Sequence, residues 1–352
     1  MNNNYVKHLR YEWQQAHDEG FYVNDLYIEC NTVDIDVCTQ EYVKELTGKL
    51  YKCSQYEGYF EPNEMDEIIK ECSYNINELN YDDYDLKLRA ALMLQCYGDE
   101  DVDFDYINRS SSLYFSNKEE LTGFDVINHW LNKFSYAMLT PSQQVAYTNY
   151  FQGVGISDLA TSFNPYREWN GGLIDALTLG LINPADPLKA SQLAYVVNYP
   201  AHTKNGLYGP MFISGVVAQC FVNTDVIEIV KTGMGVIPHG SRLSESIYEV
   251  VESYEHHVNV QKLMRSIRKR YDNASEFGIK HVVPNTMIIT LCILYAKSYD
   301  EAIKLCVEAG YDVKTNLKVV CSVLGILSYE YINDKLEVNE ENINKLIREL
   351  GV

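Results

Sequence analysis

The stretch Tyr208 to Val222 is apolar almost all the way round a helical wheel, and this limits the fold more than any other feature of the 352-residue chain. A helix without a polar face has to be covered on every side by other elements. The rest of the chain supplies covering pieces of the same kind. Asp85 to Tyr97 places Leu86, Leu88, Ala91, Leu92 and Cys96 near one another on a helix surface, with Gly98 as its stop. Pro187 to Val197 opens with a proline in the first turn and carries Leu188, Ala190, Leu193, Ala194 and Val197. Asn285 can cap a run to Tyr295, Asp300 can cap Glu301 to Ala309 with Gly310 as a left-handed stop, and Thr315 can cap Asn316 to Tyr329. Strand signals are weak. Leu26 to Cys30 and His281 to Val283 could pair, but no hairpin turn joins alternating runs. The fold class read from this is all-α, with buried central helices and amphipathic outer ones.

Residues 1–77 are rich in Asn, Tyr, Glu and Lys and read as a helical extension packed on a main body at 78–335, with a last helix at 336–352. Trp13, Phe21 and Phe60 in the extension call for burial. Asp99 to Asp105 reads as a solvated acidic loop, and Lys262 to Arg270 as a basic, solvated helix face. The formal net charge of −20 disfavours a grip on nucleic acid or on an anionic membrane surface, but not one local pocket for a small anion. The nine cysteines have no CxxC spacing and read as free thiols. The polar start and the absence of a 20-residue apolar run lead us to expect a soluble, cytoplasmic protein.

Four stretches carry chemistry. Tyr81-Asp82-Asp83-Tyr84-Asp85 places adjacent carboxylates at a helix start, where they can cap the helix or hold a hard cation such as Mg²⁺. Asn164-Pro165-Tyr166-Arg167-Glu168-Trp169-Asn170-Gly171-Gly172 is a shaped turn before a helix. His202-Thr203-Lys204-Asn205-Gly206-Leu207-Tyr208 leads into the buried helix. A lone histidine there is more often a structural hydrogen-bonder than a catalyst, and Asn205-Gly206 can supply left-handed backbone for a tight loop. Gly310-Tyr311-Asp312-Val313-Lys314-Thr315-Asn316 joins two helices, and Asp312 can bind a cation or cap the second of them.

In this order, the four stretches resemble the ADP-ribosylglycohydrolase family, which includes the enzyme that removes ADP-ribose from dinitrogenase reductase. The resemblance spans roughly residues 5–330 and is densest from Thr140 to Arg242. It takes in Thr140-Pro141-Ser142-Gln143-Gln144, the stretch from Asn183 to Pro187, and Ile237-Pro238-His239-Gly240-Ser241-Arg242-Leu243. It implies an all-α orthogonal bundle and a pocket for a ribosyl or nucleotide ligand. It also implies a pair of Mg²⁺ ions held by two acidic motifs, with metal-assisted attack of water at the anomeric carbon. On this likeness Asp82, Asp83 and Asp312 are the candidate catalytic and metal residues, with Thr315 beside them. Asn164, His202, Asn205, Gly206 and Tyr208 are the candidate substrate contacts.

The chain also departs from the family pattern. Tyr81 and Tyr84 flank the first acid pair. The second motif has Val313 at its Thr, and Lys314 replaces its second Asp. A protonated lysine has no lone pair to offer a metal. An early Gly-x-x-x-Gly helix is missing, and Asp175 and Leu177 stand where this branch has Arg and Asp. Mg²⁺ is therefore doubtful as a cofactor. Lys314 is a candidate to replace it by pairing with Asp82, Asp83 and Asp312. Two functions remain open. One is a binding protein for an ADP-ribosyl, nucleotide or protein partner without two-metal hydrolysis. The other is a hydrolase or lyase of a ribosyl N- or O-glycoside that uses the remaining acids.

Overall fold

The computed structural model describes residues 61–73, 83–98, 121–271, 276–335, 343–344 and 347–348. Asp82, the acidic segment 99–105 and the aromatic residues of the N-terminal extension lie outside these. The helices are α1 (Met65–Lys70), α2 (Tyr84–Gly98), α3 (Gly123–Lys133), α4 (Pro141–Phe151) and α5 (Gly172–Leu181). They continue with α6 (Pro187–Asn198), α7 (Asn205–Cys220), α8 (Val226–Gly235), α9 (Arg242–Glu255) and α10 (Val260–Arg270). The last are α11 (Glu276–Lys280), α12 (Val282–Tyr295), α13 (Tyr299–Ala309), α14 (Val313–Leu327) and α15 (Tyr329–Lys335). Among the described residues there is no strand. The extended signal at His281 becomes one isolated antiparallel bridge to Trp169. The all-α expectation holds.

The apolar run forms α7, in which every residue from Asn205 to Cys220 is buried. It is covered by α5, α6, α8, α9, α12 and α14, as a helix without a polar face requires. The helix α12 is buried from Val282 to Leu294 in the same way. The basic helix α10 buries Leu263, Met264 and Ile267. Its Arg270 pairs with Glu249 at 2.7 Å, and Arg268 reaches the carbonyl ends of α13. Cys72, Cys220, Cys292, Cys306 and Cys321 are free thiols. Among the described residues no helix is long and apolar enough to cross a membrane.

Two caps differ from the sequence reading, and a third is decided between its two candidates. His281, not Asn285, caps α12; Ser298, not Asp300, caps α13; and Asp312, not Thr315, caps α14. The Asn285 amide is committed elsewhere, donating to the Ile279 and His281 carbonyls at 2.7 Å. Gly310 takes φ 75°, the left-handed stop expected at the end of α13.

The helices α2 and α14 pack antiparallel. A side chain at Gly325, late in α14, would meet the Ala90 carbonyl oxygen at 2.6 Å, and the Asn333 amide donates to the Leu86 carbonyl at 2.9 Å. The N-terminal end of α2 therefore lies beside the C-terminal end of α14.

Candidate functional site

The strap from Asn164 to Asn170 organises the site. The Asn164 amide donates to the Ser142 and Ala201 carbonyls at 3.2 and 3.1 Å, and its Oδ1 accepts from the Tyr166 N–H at 3.1 Å, which fixes the turn. The Arg167 carbonyl accepts from the Thr203 N–H at 3.2 Å and from His202 Nδ1 at 3.0 Å. The Glu168 carbonyl accepts from the Val282 N–H, and the Asn170 N–H donates to the Lys280 carbonyl at 2.7 Å. The strap thus ties the loop before α7 to the junction between α11 and α12.

Beneath the strap lies a buried ion cluster. Arg242, the first residue of α9, gives Nε and Nη2 to the two oxygens of Glu61, each at 2.8 Å, and Nη2 also reaches Glu168 at 2.9 Å. The Asn205 amide donates to both carboxylates at 2.9 Å, and its Oδ1 accepts from the Leu243 N–H at 3.0 Å. Two carboxylates face one guanidinium. The N-terminal ends of α7 and α9 meet here, and their partial positive charges offset the excess negative charge. Burial raises the Glu61 carboxyl, but the Arg242 charge and hydrogen bonds, with Asn205, outweigh it and hold Glu61 below the ordinary carboxylate range.

These contacts reassign several candidates. Asn164, Asn205 and Tyr208 are fully buried, with their polar atoms used inside the protein; the Tyr208 hydroxyl donates to the Pro62 carbonyl. They position the strap and the start of α7. Asn205-Gly206 does not supply the left-handed turn, because the positive φ of 48° falls on Lys204. Gly206 is needed for close approach, since a Cβ there would lie 2.1 Å from the Arg167 carbonyl oxygen.

His202 is buried, and Nδ1 must donate because its partner is a carbonyl. Nε2 is then a bare acceptor with no partner among the described residues, and the Thr203 hydroxyl is in the same position. Burial pushes His202 down to about 4, against a smaller opposing effect of its bond to Arg167. The folded chain therefore stays neutral at His202 where an unfolded histidine, titrating at 6.5, takes up a proton. Stability is complete above 6.5 and falls as pH drops from 6.5 towards 4. His202→Gln is expected to flatten this part of the urea-unfolding pH profile; an unchanged slope would show that His202 is not its source.

The second polar cluster sits at the N-terminal end of α14. Asp312 caps that helix and is buried. Its Oδ2 accepts from Lys280 Nζ at 2.8 Å, Asn170 Nδ2 at 2.9 Å and Thr315 Oγ1 at 2.9 Å. The Asp312 N–H donates to Asn285 Oδ1 at 3.0 Å. Burial raises the Asp312 carboxyl; Lys280, then Asn170 and Thr315, more than reverse this, so the group is held below its usual value. At Asp312 the ammonium is that of Lys280, and Lys314 stands exposed in the first turn of α14.

Asp83 does not join this cluster. It is exposed, with φ 60°, and accepts from the Tyr329 hydroxyl at 2.9 Å. Tyr329 follows the C-terminal end of α14, while Asp312 caps its start. A helix of 15 residues is about 22 Å long, so Asp83 and Asp312 lie at opposite ends of it. Among the described residues no three His, Cys, Asp or Glu side chains are grouped to hold a metal. The described residues do not fit the two-metal site that the sequence likeness implies. Asp175 is buried in α5, and Leu177 belongs to the core. Sequence reading missed Glu61, Lys280 and the role of Asn170. Glu168 and Arg242 stood inside the quoted motifs, but nothing in their spacing shows that they pair.

A family model described as ADP-ribosylglycohydrolase matches residues 58–344. No curated protein and no solved structure matches the chain.

Proposed function

Since the chain belongs to the ADP-ribosylglycohydrolase family, we propose that it binds an ADP-ribosyl or related nucleotide ligand without the two-metal hydrolysis typical of such a site. The observation that carries this reading is the separation of Asp83 from Asp312 by the length of α14. A Lewis acid held by two acidic motifs needs both of them at one place, and Asp312 alone already has its Oδ2 filled by three donors. Unpaired buried polar atoms support a polar ligand. His202 Nε2, the Thr203 hydroxyl and both amide atoms of Asn316 have no partner among the described residues, and such atoms are costly unless something meets them.

Calorimetric titration with ADP-ribose in EDTA, then with Mg²⁺, tests the reading. Binding in EDTA that Mg²⁺ leaves unchanged is the expected result. Asp83→Asn should leave the affinity unaltered, since that side chain sits at the far end of α14. Binding that requires Mg²⁺, or release of free ADP-ribose from a modified protein, would overturn the reading in favour of an active hydrolase. No binding in either buffer would remove the ligand class.

A further inference from the structure

We infer that Lys280 is a built-in cation for Asp312, and that its ammonium occupies the position a metal ion would need at the N-terminal end of α14. This rests on the reading above that the site works without a metal pair, and it extends that reading to one residue. The ion pair is not a chance surface contact. Nζ lies 2.8 Å from Oδ2 of a buried carboxylate, while the lysine side chain is 36% exposed and keeps part of its hydration. One residue fixes both partners: the Asn170 N–H holds the Lys280 carbonyl at 2.7 Å, and the Asn170 amide holds Asp312 Oδ2 at 2.9 Å. Lys280 ends the short helix α11, and His281 after it bridges to Trp169 and caps α12. The backbone that carries the ammonium is therefore clamped on both sides.

The physical consequence is exclusion. A cation approaching Asp312 would have to displace an ammonium already hydrogen-bonded to it, and would be repelled by that ammonium at short range. The family's usual second aspartate is Lys314 here, so restoring a carboxylate at that position should not restore a metal site while Lys280 remains. The prediction concerns an ion and not the proposed ligand, so it can fail while ligand binding stands, and the reverse also holds.

The test is titration of the intact chain with Mn²⁺, followed by electron paramagnetic resonance of the free ion, with folding checked by circular dichroism. Wild type and Lys314→Asp are expected to show no saturable site up to about 1 mM, the range of the weakest specific binding. Lys280→Met combined with Lys314→Asp is expected to bind Mn²⁺ at least roughly tenfold more tightly than Lys314→Asp alone. Should Lys280→Met prevent folding, Lys280→Gln keeps a hydrogen bond to Asp312 without the charge and carries the same expectation. Equal Mn²⁺ affinity with and without Lys280, or no site in the combined variant, would overturn the inference. So would a tight Mn²⁺ site in the wild type that Asp312→Asn abolishes.

Discussion

Arg242→Met is expected to lower the unfolding free energy by on the order of 3–5 kcal/mol, the usual cost of removing one partner from a buried ion pair. The variant keeps most of the side-chain volume, so the loss is one of charge. Glu61 and Glu168 would remain buried with only the Asn205 amide and two helix ends to meet them. Urea unfolding at pH 7 measures the deficit, and its pH dependence identifies the cause. In the wild type Glu61 is held below its ordinary value of 4.5. Its contribution is therefore present above that pH and lost as pH falls through the folded value. Without the guanidinium, burial is opposed only by the Asn205 amide and the backbone N–H of residue 242, and the folded value of Glu61 is expected to rise above the unfolded one. The variant then gains stability as the carboxyl takes up a proton, so its deficit should narrow between pH 7 and about pH 5. Adding Glu61→Gln to Arg242→Met should recover part of the loss, because it removes one uncompensated charge. A deficit below about 1 kcal/mol, or one that does not change with pH, would mean that the cluster does not carry buried charge in the way its geometry implies.

The fold was legible because helical period is a property of consecutive residues. The all-round apolar run marked α7 as central, Pro187 marked the first turn of α6, and Gly310 marked the end of α13. Caps were read less well, for a local reason. Ser, Thr, Asp and Asn can all cap, and the chain places several within a few residues of each helix start. At α14 both Asp312 and Thr315 qualify, and only the geometry gives the cap to Asp312 and the hydroxyl bond back to it to Thr315. At α12 the cap is a histidine, which cap preferences do not suggest. The site was legible to the extent that its residues share a motif. The strap was visible as a turn, yet its role comes from bonds to residues 35 and 142 positions away in sequence. Lys280 belongs to no motif, and its pairing with Asp312 spans 32 positions. Acid pairs such as Asp82-Asp83 carry the opposite risk. They look like a ligand set in sequence, but which end of a helix they occupy, relative to their intended partner, is fixed only by packing. Here the antiparallel packing of α2 on α14 places Asp83 beside Tyr329.

Gly206→Ala should destabilise the chain by on the order of 3 kcal/mol, near the upper end of what overpacking usually costs. The added methyl would sit 2.1 Å from the Arg167 carbonyl oxygen, 3.1 Å from its carbon and 3.1 Å from Glu168 Cα. All three are backbone atoms, so no side-chain rotamer can relieve the clash. Nor can the carbonyl retreat freely, because it accepts from both the Thr203 N–H and His202 Nδ1. Relief requires the strap to lift from the start of α7. That motion strains the Glu168 bonds to Arg242 and Asn205 and, two residues on, the Asn170 bond to Asp312. One methyl group should therefore loosen both polar clusters. Two measurements separate this from a generic loss of stability. The deficit of Gly206→Ala and that of Arg242→Met should fall short of additive in the combined variant, because both act on the strap. Gly155→Ala, where the nearest atom to the added carbon is 3.8 Å away, should change stability by no more than about 0.5 kcal/mol. Full additivity of the first pair would mean that the strap does not link the two clusters. A cost for Gly206→Ala as small as that for Gly155→Ala would mean that α7 and the strap do not approach as closely as the packing requires.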